Sequence, residues 1–225
     1  MASVVDVCNS ALGNLGDSAT VASIDPPEGS AQAEHCARFY PMALATLLDA
    51  HNWGFTTRRV ALAAVSNPSS TWQYAYAAPS SCLTVLAILD PAATDDYSAV
   101  LGSTVVYSDA LGGTLPSQGV YTPQAFATEI DADGNDIILT NQADAVARYT
   151  TLVSDTAKFP PLFTETLTWL LTAKLAGPVL KGSEGRAAAK DALQAYAYWL
   201  KQATANDAAN QSIKPTHQVD WMNAR

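Results

Sequence analysis

Four side chains between positions 131 and 136 are the densest set of potential ligands in this chain: Asp131, Asp133, Asn135 and Asp136. Alternating oxygen donors of this kind suggest calcium. An EF-hand loop, however, needs glycine at its sixth position and glutamate at its twelfth. Counted from Asp131, those positions hold Asp136 and Gln142. Asp133-Gly134 is instead the pair a tight β-turn demands, and it reads as a hairpin tip with solvated carboxylates. The three histidines, His35, His51 and His217, have no zinc spacing. His51 falls near the end of a helical pattern, where it would interact with the helix C-terminus, and His35 reads as exposed or at a helix contact. No Gly-x-Ser-x-Gly is present, and no histidine is placed to activate a nucleophile. Lys181-Gly182-Ser183-Glu184-Gly185 lacks the Lys-Ser/Thr ending of a phosphate-binding loop and reads as a turn between helices. Gly112-Gly113 lacks the strand and helix that phosphate cradling needs. Cys8, Cys36 and Cys82 are odd in number, widely spaced and set among apolar residues, so they read as buried thiols. The residues therefore argue against an enzyme, against a cofactor and against a bound metal.

Aromatic residues are the next candidates. Trp53, Phe55, Trp72, Tyr74 and Tyr76 alternate with other residues, and Arg58 and Arg59 lie nearby. Such a set could stack on bases, but core packing beneath a β-rich part is the favoured reading. Tyr196, Tyr198 and Trp199 sit on one helical pattern and cannot all face one core, so some must face another element or another subunit. The last fifteen residues, Gln211 to Arg225, follow an alanine-rich helical stretch and contain Pro215. Extended, they reach roughly 50 Å. Ile213, Val219, Trp221 and Met222 give them apolar anchors. Either the segment binds a surface outside its own domain, as tryptophan anchors often do, or it folds back and Trp221 caps its own core.

The composition agrees with an interaction protein. The 225 residues carry a net charge of -9, and only 15% are charged while 48% are hydrophobic. The acidic balance argues against a sequence-general nucleic-acid binder but is compatible with a channel that DNA slides through without sticking. The N-terminus has no basic start, and the longest apolar runs, such as Leu83 to Leu89, are too short to span a bilayer. The chain reads as soluble, without a membrane partner, and made in a reducing cytoplasm.

Periodicity sets the elements that position these residues. A helical stripe of Val4, Val5, Cys8, Ala11, Leu12 and Leu15 predicts a helix from Ser3 to Leu15, with Ser3 and Asp6 as a capping box. A second helix is predicted from Ser30 to His51, with Pro41 kinking it or opening a second section. Extended structure follows, including Leu83 to Leu89 as a buried strand and a short strand near Thr104 to Tyr107. Phe126 to Ile130 and Ile137 to Thr140 form the hairpin, and Val146 to Val153 is a further strand. Pro160-Pro161 opens a third helix, which Gly177-Pro178 ends or bends. A fourth runs from near Ser183 to Asn210. The predicted fold is α+β. A bundle of about four helices (1–52 and 158–210) carries a β-rich insertion (53–157) between helices two and three, and an extended C-terminal tail (211–225).

The succession of these segments resembles the tail tubular protein A family of phage head-to-tail adaptors, or connectors. The likeness rests on Leu12-Gly13-x-Leu15-Gly16; on Ala37 to Pro41 running to Leu47-Leu48; and on His51 to Phe55 with Arg58 and Leu62. It continues through Trp72-x-Tyr74-x-Tyr76, Pro79 and Cys82-Leu83; Gly134 to Thr140 with Arg148-Tyr149; and Phe159-Pro160-Pro161-x-Phe163 leading into Leu175-Ala176. It spans nearly the whole chain, matching least between Asp90 and Gln124. The resemblance implies a non-catalytic virion protein, assembled in the host cytoplasm, that forms a ring of about twelve copies. In that family the ring joins the portal to the tail and leaves a channel for DNA. Bundle helices pack side by side, the β-rich part faces the tail nozzle, and the C-terminal segment reaches the portal. Carried to this chain, the portal contacts would be Ile213, Val219, Trp221, Met222 and Arg225. Another neck component, such as a stopper or tail-completion protein, and a small enzyme with an unrecognised site are the alternatives.

Overall fold

The computed structural model describes residues 2–18, 20–91 and 124–210. It is an α+β protein with four α-helices and two three-stranded sheets. The helices are α1 (Val4–Gly13), α2 (Ala31–Asp49), α3 (Pro161–Leu180) and α4 (Gly182–Asn210). The strands are β1 (Thr57–Ala61), β2 (Tyr74–Ala77), β3 (Cys82–Leu89), β4 (Phe126–Ile130), β5 (Asp136–Thr140) and β6 (Val146–Thr151). The described residues fall into two compact units, 2–57 with 152–210 and 58–151. The strand predicted near Thr104 to Tyr107 lies outside the described residues, as does the whole segment 211–225.

In the helical unit each helix has a local cause. Ser3 and Asp6 form a reciprocal cap: the Asp6 amide donates to Ser3 Oγ at 3.1 Å and the Ser3 amide donates to Asp6 at 2.8 Å. The first face of α1 then buries Val7, Cys8, Ala11 and Leu12. Ser30 caps α2 by accepting from the Ala33 amide at 3.2 Å. Pro41 does not divide α2, contrary to one reading of the sequence. Pro41 is exposed, and the buried stripe of Cys36, Tyr40, Ala43, Leu44 and Leu47 runs past it on the other side. The missing donor thus falls where water can serve the carbonyl it abandons.

The helix in the middle is α3, which packs on α1, α2 and α4. Buried positions lie on several of its faces, from Phe163 to Ala176, as a helix enclosed by others requires. Its buried threonines turn back on their own helix. Thr166 Oγ1 donates to Leu162 O at 2.7 Å and Thr172 Oγ1 to Thr168 O at 2.8 Å, so no hydroxyl is stranded. Gly177-Pro178 does not end α3. The helix continues to Leu180 because Val179 and Leu180 pack on the core. It reverses only at Lys181 and Gly182, both with positive φ (55° and 58°). The chain then returns as α4, close enough that Gly185 fits only without a side chain: a Cβ there would stand 2.8 Å from Ala176 O.

The β-rich unit has strand orders β1-β6-β3 and β2-β5-β4. The hairpin expected at Asp133-Gly134 joins β4 to β5 in antiparallel register from Phe126↔Thr140 to Ile130↔Asp136. Gly134 takes φ 84°, the left-handed conformation glycine adopts freely. The central strand β5 is buried on both faces. Ile138 packs with Tyr76, Ile88 and Tyr149, while Ile137 and Leu139 pack with Ala75 and Trp72. The stretch Leu83 to Leu89 is a strand, but only Ala87, Ile88 and Leu89 are buried. β3 is the edge strand of its sheet, and burial sets in only toward Ile88, where Gln124 bridges it; sequence alone does not tell an edge strand from a central one.

Candidate functional site

The segment that the resemblance assigns to the portal, with Ile213, Val219, Trp221, Met222, Arg225 and also His217, lies outside the described residues. Its root does not. Asp207, in the last turn of α4, accepts the Gly54 amide at 3.1 Å and stands 3.3 Å from His51 Nε2. This joins the end of α4 to the corner after α2. His51 therefore serves α4, not the C-terminus of its own helix. Trp53 fills the corner. It is fully buried, its Nε1 donates to Leu47 O at 2.8 Å, and its carbonyl accepts the Thr56 hydroxyl at 2.8 Å. Its ring meets His51 edge-on at 4.9 Å and Phe163 edge-on at 5.0 Å. Phe55 meets Phe163 at 5.0 Å, and Phe159 meets Phe163 at 4.9 Å.

Trp53 and Phe55 are thus corrected from the β-rich part to the helical unit. Alternation suggested a strand, but Gly54–Thr56 is a single 3-10 turn, and its twist carries both rings to α3. Trp72 and Tyr76 do pack in the β-rich unit, on different cores, whereas Tyr74 is 38% exposed. Trp72, Tyr74 and Tyr76 therefore do not form one flat stacking platform.

A hollow of about 40 Å³ lies where α4 ends, lined by Trp53, Leu162, Phe163, Ala203, Asn206 and Asn210 among others. Higher on α4 the aromatic residues divide. Tyr196 is half-buried against the helical core, while Tyr198 is 59% exposed and stacks edge-on with half-buried Trp199 at 5.4 Å. Leu193 is 49% exposed on the same helix. Only Gly185, Ala192 and Ala203 of α4 are fully buried, so most of its length faces outward.

The groups that suggested chemistry have structural duties. One carboxylate oxygen of Asp131 accepts the amides of Asp133 at 2.9 Å and Asn135 at 2.8 Å. The Asn135 amide, helped by its side chain, holds the Asp131 carboxyl below the usual carboxylate range. Among the described residues, no group of three or more His, Cys, Asp or Glu side chains could hold a metal ion. Cys8 and Cys36 are buried, and the hydrogen bond to Cys36 together with burial pushes the Cys8 thiol up. Burial, with Asp136 nearby, pushes the Cys82 thiol up too. Thiols raised in this way are poor nucleophiles at neutral pH. Among the described residues, no helix is long and apolar enough to cross a membrane.

No family model and no curated protein matches this chain. The functional reading therefore rests on the residues themselves. Sequence reasoning missed Asp207 as the clamp at the end of α4, because its partners stand more than 150 positions away. It also missed the groove between β3 and β4, whose walls come from strands that do not pair along it.

Proposed function

We propose that this chain is a phage head-to-tail adaptor that joins the portal to the tail and forms part of the DNA channel. What supports the reading is the ordered succession of segments, which resembles that of tail tubular protein A adaptors and is here laid out on four helices with a β-rich unit between α2 and α3. Two features of the helical unit support it. One is a last helix largely exposed, with Leu193 and Tyr198 turned outward, which suits lateral contact between copies. The other is the Asp207 clamp, which gives the segment after Asn210 a fixed point of departure. In this reading Trp221 and Met222 anchor the C-terminal segment on the portal, Ile213 and Val219 add apolar contact, and Arg225 adds a charge contact.

The partners are then the portal, the tail nozzle and further copies of the chain, with DNA passing through unbound. The test is to mix purified chain with portal rings and look for a stoichiometric complex by electron microscopy. A complex that places the chain directly beneath the portal is expected. Absence of binding, or unchanged binding after deletion of residues 211–225, would overturn the docking claim. Microscopy of joined particles also separates an adaptor from a stopper or tail-completion protein by the layer the density occupies.

A further inference from the structure

The two sheets of the β-rich unit share a core of Tyr76, Ile88, Ile138 and Tyr149, but β3 and β4 meet at one bridge and part from there. The Gln124 amide donates to Ile88 O at 3.0 Å, and the two residues form an isolated antiparallel bridge. Beyond it β3 stays with β6 and β4 goes with β5. A groove of about 400 Å³ opens between them. Cys82, Leu83, Thr84 and Val85 line it in unbroken succession, as do Thr128, Glu129 and Ile130. Successive side chains of a strand point to opposite faces of a sheet. A groove that touches every one of them runs along both strands, and Ala78, Phe126, Asp136 and Ile137 complete its lining.

Among the described residues, the outer edges of β3 and β4 have no ladder partner along these runs. An open edge is a row of main-chain donors and acceptors ready to pair with another chain. The two edges are not equivalent. β3 carries register shifts between Cys82 and Thr84 and between Val85 and Ala87, whereas β4 pairs with β5 in unbroken register. β4 is therefore the regular template, and β3 is the facing wall.

The groove also has a polarity. Leu83 (36% exposed) and Ile130 (68% exposed) supply apolar surface. A neighbouring hollow of about 490 Å³ shares Cys82, Asp136 and Ile137 with it and reaches Asp131. Glu129, Asp131 and Asp136 bring carboxylates to this end, and no Lys or Arg is among the described residues lining either space. Apolar walls, an open strand edge and an acidic end together specify one kind of occupant.

We infer that the groove accepts an extended segment of a partner protein, added as a further strand on the outer edge of β4, with apolar side chains at alternate positions and a Lys or Arg at the acidic end. Main-chain hydrogen bonds supply the pairing, and the alternate side chains supply the selectivity. This goes beyond the adaptor reading and does not depend on it.

The test is to pan a display library of linear nonapeptides on the full chain, with the Leu83→Asp/Ile130→Asp double variant as counter-selection, and to synthesise the enriched peptides. Both substituted residues are exposed, and unchanged circular dichroism and melting temperature would certify the variant. Enriched peptides should alternate apolar residues and carry a terminal Lys or Arg. They should lose about tenfold or more in affinity on the double variant and should slow amide exchange at 126–130. Glu129→Gln should relax the preference for Lys or Arg. Three results would each overturn the inference. One is no enrichment over the double variant. Another is protection at 126–130 that grows with protein concentration without peptide, which marks a second copy in the groove. The last is full protection in the dilute, peptide-free chain, which marks coverage by the chain's own residues.

Discussion

Trp53 does two jobs that different substitutions separate. Its ring fills the corner between α2 and α3, and its Nε1 satisfies Leu47 O at 2.8 Å. Trp53→Ala should lower the unfolding free energy by about 3–5 kcal/mol, the usual cost of emptying a buried aromatic site. Trp53→Phe keeps most of the ring but loses the hydrogen bond and should cost less. Urea titration of both variants checks the order. Asp131 makes a pH prediction. Its carboxyl sits below the usual range in the folded chain because the Asn135 amide and side chain hold the charged form. A group whose folded pKa is depressed stabilises above its unfolded pKa of about 3.9 and loses that contribution as pH falls through the lower folded value. Carboxyl-carbon NMR should place the Asp131 midpoint below that of a model peptide. Protection of the Asp133 and Asn135 amides, relative to an unstructured chain at the same pH, should fall as the group protonates, and Asp131→Asn should remove this change.

Elements were legible where the cause of the structure lies close in the sequence. The cap at Ser3, the stripe of α1, the start of α2 near Ser30 and the Asp133-Gly134 turn all have causes within a few residues, and each appears where the sequence placed it. Legibility failed where distant packing decided the outcome. Pro41 read as a kink or a new section and Gly177-Pro178 as an end or a bend, yet both helices run through them, because buried neighbours continue on either side. Trp53 and Phe55 read as strand residues because alternation cannot reveal that α3 supplies their partners. Leu83 to Leu89 read as buried throughout because a run of apolar residues carries no sign that its strand lies at a sheet edge. The turn at Lys181 to Gly185 announced that α3 and α4 would meet, but not how closely, and Gly185 tests the closeness. Alanine there gains helix propensity, up to about 1 kcal/mol. A Cβ 2.8 Å from the Ala176 carbonyl, however, meets backbone that cannot swing aside. Gly185→Ala should therefore destabilise, by about 1–3 kcal/mol as overpacked sites do, and the melting temperature should fall. A rise would show that α4 shifts freely against α3.

The assembly predictions belong to the whole molecule. Leu193→Glu with Tyr198→Glu alters only exposed positions of α4, so the isolated chain should melt as before. On the proposed adaptor function, ring formation on portal particles should be lost, which sedimentation of the mixture would show. Trp221→Ala should weaken portal binding by about 2 kcal/mol or more if it anchors the contact, with titration calorimetry as the measure. Chain order has a consequence of another kind. α1 and α2 are made first, and the helix that covers them, α3, begins roughly 110 residues after α2 ends. At about 5–20 residues per second, the ribosome leaves Leu12, Leu44 and Leu48 for roughly 5–20 s without Phe163 and Leu171, which belong to the same core. During that interval the nascent chain presents two greasy helical faces to its surroundings. Whatever slows translation of the intervening β-rich stretch lengthens that exposure, so rare codons placed there should lower the soluble yield of a protein whose finished form is unchanged.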